Sequence, residues 1–349
     1  MEEEDNFERY QCQIALPGFG ISSQQLLENA RVLIIGMGGL GCPSAQYLVS
    51  SGIGTIGIAD DDTVSVSNLH RQILYTPEDT GLSKVEVAAR RLQQQNPSVN
   101  IVTHNLRVTS ENVINLISEY DLIIEGTDNF ETKYLLNDAC VLAGKPLIYG
   151  AIYQYEGQVS IWNVLQNDGT YSPNYRDVFQ DIEASRIPNC REGGVIPTLA
   201  GIVGCMQANE AIKYITGSED LLAGKLWMFD VINGKTQIIK LKKTTVTQIT
   251  NLVQTIPLIT FEQLQERKNY FEIIDVRTEK EHQAYNIGGK NIPVEKLQDQ
   301  LNNISSVLQP ILLYCQSGKR SMEAAGKIKK AFPDKEVFSL KNGISNIPL

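Results

Sequence analysis

Short apolar runs alternate with stretches of helical spacing through the first half of the chain. "RVLIIG", "IGIAD", "VNIVTHN", "DLIIEGT" and "PLIYGAIY" are too short for helices and rich in β-branched residues, so they predict strands. Between them lie amphipathic segments. "CPSAQYLVSSG" follows the first run, and "KVEVAARRLQQQN" sets Val85, Val87, Ala88 and Leu92 near one face. "SENVINLIS" predicts a helix with a serine cap, and "FETKYLLNDACVLAG" one stopped by Gly144. This alternation predicts an α/β fold, a doubly wound parallel sheet with helices on both faces.

The rhythm changes after about Gly157. "GQVSIWNV", "KLWMFDV" and "KTQIIKLKK" predict an antiparallel extension, with a long apolar helix over 197–216 among them. The polar, irregular stretch from Asn163 to Gly194 reads as a loop or lid, and "KKTTVTQITN" as a linker. From about Pro257 a smaller α/β pattern restarts with "FEQLQERK", "FEIIDV", "ILLYC", "SMEAAGKIKKAF" and "EVFSL". The expected division is a first domain over 1–243, a linker over 244–256 and a second domain over 257–349. No internal repeat interrupts it.

A chain of 349 residues suits two domains, and 42% hydrophobic with 20% charged residues describes an ordinary globular composition. A net charge of −9 argues against a nucleic-acid-binding face. No run approaches the roughly 18 apolar residues of a membrane span. The acidic start "MEEEDNFERYQ" lacks the apolar core of a secretory signal, so a cytoplasmic location is the default expectation. The six cysteines form no C-x-x-C pair and no disulfide framework. Cys42, Cys140 and Cys205 read as small core hydrophobes.

Candidate chemistry starts at Gly36-x-Gly38-x-x-Gly41, between the first strand and a helix, with Asp60 about 20 residues on. Backbone N–H groups at a helix start attract phosphate, and glycines let the backbone come close. Alone, this pattern favours an NAD or FAD enzyme. Asn68, Arg71 and Gln72 follow the second strand, Lys84 lies in "GLSKVE", and Asp128 and Asn129 end a later strand. Ligands sit at the ends of parallel strands, so this set could converge on phosphates. Hydride transfer needs no such set. Phosphate chemistry does, because cations stabilise leaving pyrophosphate and a carboxylate can hold magnesium.

"RYQCQI", "GMGGLG", "DDDTVSVSNLHRQ", "GLSKVE", "TDN" and "PNCREGGV" together resemble the MoeB/ThiF family of ubiquitin-activating-type adenylyltransferases, over about residues 7–243. The resemblance implies ATP as substrate, adenylation of the C-terminal Gly-Gly of a ubiquitin-fold sulfur carrier, and a homodimer. By matched position Gly36, Gly38, Gly39 and Gly41 would face the phosphates and Asp60 the ribose. Ser67, Asn68, Arg71, Gln72 and Lys84 would line the triphosphate. Asp128, beside Asn129, would hold Mg2+. Two departures stand out. Relatives usually read "RYxRQ", the second arginine reaching the partner's nucleotide site; here Cys12 occupies that place, and Arg9 and Gln13 remain. Many relatives also carry two C-x-x-C zinc pairs. Here Asn174 and Asp177 stand at the first, and "KKTTVTQIT" at the second has no cysteine, so no zinc site is expected and packing must hold the lid.

"LLYCQSGKRSMEAAGKI" predicts a strand, a loop headed by Cys315 and a helix. Loop amides at a helix N-terminus, with Lys319 and Arg320 adjacent, favour a thiolate. With "FEIIDVRTEKEHQAYNIGGKNIP" and "SLKNGI" the segment resembles a single rhodanese domain from about residue 258 onward. The resemblance implies a persulfide on Cys315, cradled by the loop of Gln316, Ser317, Gly318, Lys319 and Arg320. It makes Asp275 and Arg277 a structural ion pair, with Glu281 and His282 in the acidic-polar segment that follows. The Cys-x-x-x-x-Arg spacing is one residue shorter than in related phosphatases, which favours sulfur over phosphate. Cys190, in "RIPNCREGGVIP" between Arg186 and Arg191, matches a family cysteine implicated in sulfur or acyl transfer.

The expected enzyme adenylates a carrier's terminal glycine and transfers sulfur to it from Cys315, loaded by a cysteine desulfurase or another donor. Molybdopterin, thiamine and tRNA thiolation pathways all share this architecture. Three rivals stand beside it: a ubiquitin-like activator with a Cys190 thioester, an NAD-dependent redox protein, and a non-catalytic scaffold that has lost adenylation.

Overall fold

The computed structural model describes residues 5–180, 193–241, 247–253, 255–345 and 347. Two compact units meet in sequence between Val253 and Gln254.

Eight strands form the sheet of the first unit, in the order β3-β2-β1-β4-β5-β6-β7-β8. β1 (Arg31–Ile35), β2 (Thr55–Ala59), β3 (Asn100–His104), β4 (Leu122–Glu125) and β5 (Leu147–Tyr153) are parallel. Their side chains alternate between two cores. Val32, Ile34, Ile56, Ile58 and Ile124 pack under the helices Gly41–Ser50, Lys84–Gln95 and Pro197–Ile215. Leu33, Ile35, Ile123 and Leu147 pack under Val113–Ser118 and Phe130–Ala143. Covering both faces explains why β1, β2 and β4 read as continuous apolar runs rather than alternating ones, whereas β3, at the edge of the sheet, is only partly covered. β6 (Glu156–Trp162), β7 (Lys225–Asp230) and β8 (Thr236–Lys240) add the expected antiparallel extension.

The predicted stop at Gly144 holds: it closes its helix in the left-handed conformation. The serine cap does not. The helix begins at Val113, after Asn112, whose carboxamide bridges Thr109 N and Arg107 O at 2.8 and 2.9 Å. The Asn112 side chain therefore reaches back to brace this entry, and the helix does not start on a serine cap.

In the second unit five parallel strands run in the order β11-β10-β12-β13-β9. They are β9 (Leu258–Ile259), β10 (Glu272–Asp275), β11 (Lys290–Asn291), β12 (Ile311–Tyr314) and β13 (Val337–Leu340). Helix Lys319–Ala331 turns Ala324, Ala325 and Ile328 onto one face of this sheet. "EKEHQA" forms a short helix, Glu279–Ala284, that the apolar pattern could not show because none of it is buried. Among the described residues no helix is long and apolar enough to cross a membrane.

Candidate functional site

Between β1 and β4 the strand order reverses, and in open parallel sheets this switch point, at the carboxyl ends of the strands, is where ligands bind. The loop after β1 carries Gly36, which has φ +95°; a Cβ there would sit 2.8 Å from Gly126 C and O, in the loop after β4. Gly41 opens the next helix, and a Cβ on it would lie 1.9 Å from Gly36 O. Both glycines are therefore required by close backbone approach. Their packing sets the glycine loop directly beside the turn that bears Thr127 and Asp128.

Other expected residues gather on this loop. The stem of Arg71 lies over Gly39, with Cγ and Cδ each 3.3 Å from where a Cβ would be, and its guanidinium donates to Asn68 Oδ1 at 3.0 Å. Gln72 is buried beside Gly38, and its Oε1 has no donor among the described residues. Asp60 accepts from Met37 N at 2.7 Å and Asp62 N at 2.8 Å, which ties the end of β2 to the glycine loop. Burial pushes its carboxyl pKa up, against the pull of Lys84. Lys84 is only 4% exposed, 3.0 Å from Asp62 and 3.9 Å from Asp60. Burial disfavours its charge, but Asp60, Asp62 and Asp128 outweigh that and raise its pKa.

Asp128 itself is exposed, and among the described residues neither of its oxygens accepts a hydrogen bond. An open, hard oxygen donor of this kind suits magnesium, which takes one or two carboxylates and fills its shell with water and phosphate. Two expected residues do not join the loop. Ser67 is exposed and bonds Ser65 at 3.0 Å, while Asn129 caps helix Phe130–Ala143 by accepting from Thr132 N at 2.8 Å.

Cys12 is exposed. Its neighbours turn to their own chain: Arg9 donates to Gln95 O at 3.2 Å, and Gln13 to Gln24 Oε1 and, at 2.9 Å, Ser51 O. Packing alone does not hold the segment around Asn174 and Asp177. The two form a capping box, and Asp177 Oδ1 accepts from Thr247 N at 3.0 Å. A hydrogen-bonded carboxylate thus joins these two segments. Cys190, Arg186 and Arg191 lie outside the described residues. Cys42 and Cys140 are fully buried, and burial pushes Cys42 up to about 12.

Cys315 directly follows β12 in the second unit and is 1% exposed. Its Sγ accepts from Gly318 N at 3.1 Å and faces Ser321 Oγ at 3.7 Å. Ile344 N and Ser345 N bond Cys315 O and Gln316 O at 3.0 and 2.9 Å, so the "NGI" segment braces the loop from outside. Arg277 pairs with Asp275 at 2.7 Å, as expected, and His282 Nδ1 lies 2.9 Å from the same carboxylate. Burial would raise Asp275, but these partners outweigh it and hold its pKa below the usual range. Arg320 does not turn its charge on the sulfur alone. It makes two bonds, at 2.9 and 2.6 Å, to Glu281, whose pKa falls to about 2 chiefly through Arg320.

Sequence reasoning missed Glu125, Lys133 and Gln207, which are all buried beneath the Asp128 turn. The one available signal was an acid closing an otherwise apolar strand, "DLIIEGT". It also missed Ala200, whose Cβ lies 3.3 Å from where one on Gly39 would be and brings helix Pro197–Ile215 to the site.

The model described as "ThiF family" matches residues 10–249, and that described as "Rhodanese-like domain" matches residues 260–347. A "probable adenylyltransferase/sulfurtransferase MoeZ" of Mycobacterium tuberculosis is 37% identical over 346 residues, which span 93% of this chain and 88% of the relative. A "sulfur carrier protein adenylyltransferase" of Thermus thermophilus is 44% identical over 229 residues, 65% of this chain and 84% of its own length. Among solved structures, E. coli MccB with MccA-N7isoASN aligns with a TM-score of 0.60 and 22% identity over 70% of this chain and 74% of that one, a likeness of fold.

Proposed function

Because the chain belongs to the ThiF family and carries a rhodanese-like domain, we propose that it activates the C-terminal Gly-Gly of a ubiquitin-fold sulfur carrier with ATP and then converts it to a thiocarboxylate. It is an adenylyltransferase with sulfurtransferase activity, as its full-length relatives are named. The observation that carries the reading is the abutment of the Gly36 loop on the Thr127–Asp128 turn, with Arg71 and Lys84 around it.

In this reading Gly38 and Gly39 leave room for phosphates at a helix start, and Arg71 and Lys84 oppose their charge. Asp60 has further lone pairs for a ribose hydroxyl. Asp128 would hold magnesium, which draws charge off the phosphates when bound. The carrier carboxylate attacks the α-phosphorus of ATP, pyrophosphate leaves, and an acyl adenylate forms. A Cys315 persulfide, loaded by a cysteine desulfurase or another donor, then displaces AMP and leaves an acyl disulfide. Attack of a second thiolate on the Cys315 sulfur forms a protein disulfide and releases the thiocarboxylate. Cys190 is our choice for that thiol. The linker over 244–256 joins the two activities, the enzyme acts as a homodimer in the cytoplasm, and no zinc is needed because Asp177 and Thr247 already join where the metal would.

The test is carrier-dependent ATP–pyrophosphate exchange with candidate Gly-Gly carriers from the molybdopterin, thiamine and tRNA thiolation pathways. We expect exchange with one carrier and none from Asp128→Ala. Folded protein that exchanges with no carrier would overturn adenylation and favour the scaffold or redox readings.

A further inference from the structure

We infer that a buried ion pair, Glu125 with Lys133, is the positioning device for Asp128, so that its integrity sets how tightly the site holds a divalent metal with ATP. The inference rests on the reading of Asp128 as the metal ligand.

Glu125 is the last residue of β4 and is fully buried. One carboxylate oxygen accepts both the amide of Thr127, at 2.7 Å, and its hydroxyl. The other accepts from Lys133 Nζ, which also donates to Gly150 O of β5 at 3.0 Å and lies 5.1 Å from the centre of the Tyr149 ring. Gln207 Nε2 donates to the Glu125 carbonyl at 2.6 Å, and Gly126 N to Ile35 O at 2.8 Å. Residues 125–127 are thus bound to three neighbouring parts of the fold. On the other side of Asp128, Asn129 is fixed as a helix cap. Lys133 stands in the first turns of that same helix, so the pair clamps both ends of the turn at once.

Charge gives a second reason for the pair. A lone buried carboxylate beneath a phosphate site would repel the phosphates, and Lys133 cancels it. Breaking such a pair by removing one partner leaves an uncompensated buried charge, whereas replacing both with apolar residues is often neutral for stability. Stability alone therefore does not require it, and a local anchoring role accounts for it.

Two full-length variants test the inference: Glu125→Leu/Lys133→Met, which removes the pair without orphaning a charge, and Lys133→Arg, which keeps the charge. Mn2+ binding with ATP is titrated by electron paramagnetic resonance. Hydrogen exchange of residues 126–130 is read in the ligand-free protein. We expect the double variant to bind ATP without metal as the wild type does, to lose about tenfold in Mn2+ affinity, as loss of an outer support typically does, and to exchange faster at 126–130. Lys133→Arg should retain most of the affinity. A double variant with wild-type Mn2+ affinity and wild-type protection overturns the inference. If it fails to fold, Lys133→Arg decides: unfolding of that variant too would make the pair a fold requirement and sink the positioning role, and its retained affinity would support it. Failure of the underlying reading looks different, since Asp128→Ala would then bind Mn2+ with ATP as tightly as the wild type. Hydrogen exchange judges the pair in either case.

Discussion

Lys84 holds its charge in an almost closed setting, and its acidic neighbours keep it there. Each carboxylate oxygen of Asp60 already accepts a backbone amide and Asp62 is exposed, so the ammonium is not needed to satisfy either. In the proposed reading that charge is kept for phosphate. Lys84→Met should therefore lower carrier-dependent exchange by about a hundredfold, the scale of a lost charge-stabilising donor. Exchange within threefold of wild type would remove Lys84 from the phosphate site. Glu281 allows a pH prediction. Its folded pKa of about 2 lies below its ordinary 4.5, so the Arg320 pair stabilises the second unit fully above pH 4.5 and loses that contribution as pH falls from 4.5 toward 2. Both side chains are about a third exposed, 27% for Arg320 and 36% for Glu281, and solvent screening limits the effect to about 1 kcal/mol. Urea unfolding of the second unit, followed by pulsed hydrogen exchange, should show Glu281→Gln less stable than wild type at pH 7 and equal to it near pH 2. A gap of the same size at both pH values would assign the loss to packing.

Elements impose stricter geometry than single side chains do. Any side chain at Gly41 meets the carbonyl of Gly36, which is backbone and has no other rotamer to adopt. Gly41→Ala should thus cost about 3 kcal/mol, as overpacking of a tight contact does, and lower the urea midpoint of the first unit. A neutral substitution would show that the loop opens freely, and the close approach would not be needed. The same close approach explains what the sequence could and could not reveal. β1, β2 and β4 were legible because both their faces are buried and they read as apolar runs, and Gly36 and Gly41 because only glycine fits. Gly144 was legible because a left-handed cap favours it. Lys133 and Gln207 were not, because helical spacing does not mark a polar residue whose partner lies on a strand beneath the helix. Glu281 was quoted in its motif without a partner, since Arg320 lies 39 residues away. The helix entry at Asn112 was misread because Ser110 and Asn112 both precede the helix and both suit its start.

At the scale of the whole molecule, two chemistries that share no residue sit on one chain. In the proposed reading adenylation uses the loops after β1 and β4, and sulfur is carried on Cys315, just after β12. Each unit has its own sheet and its own apolar cores, so each should fold and act without the other. Joining them would then serve the encounter of persulfide with acyl adenylate, because a short linker gives an effective concentration on the order of millimolar. A protease site placed within 244–256 tests this. After cleavage, carrier-dependent exchange should stay at the intact rate, since it draws on the first unit alone. Thiocarboxylate formation at about 1 µM enzyme should fall by about a hundredfold or more and recover as the cleaved rhodanese unit is added back toward millimolar. The opposite pattern, with exchange lost and sulfur transfer falling only in proportion, would mean that the C-terminal unit is needed to build the adenylation site, and tethering would not be the reason for the fusion.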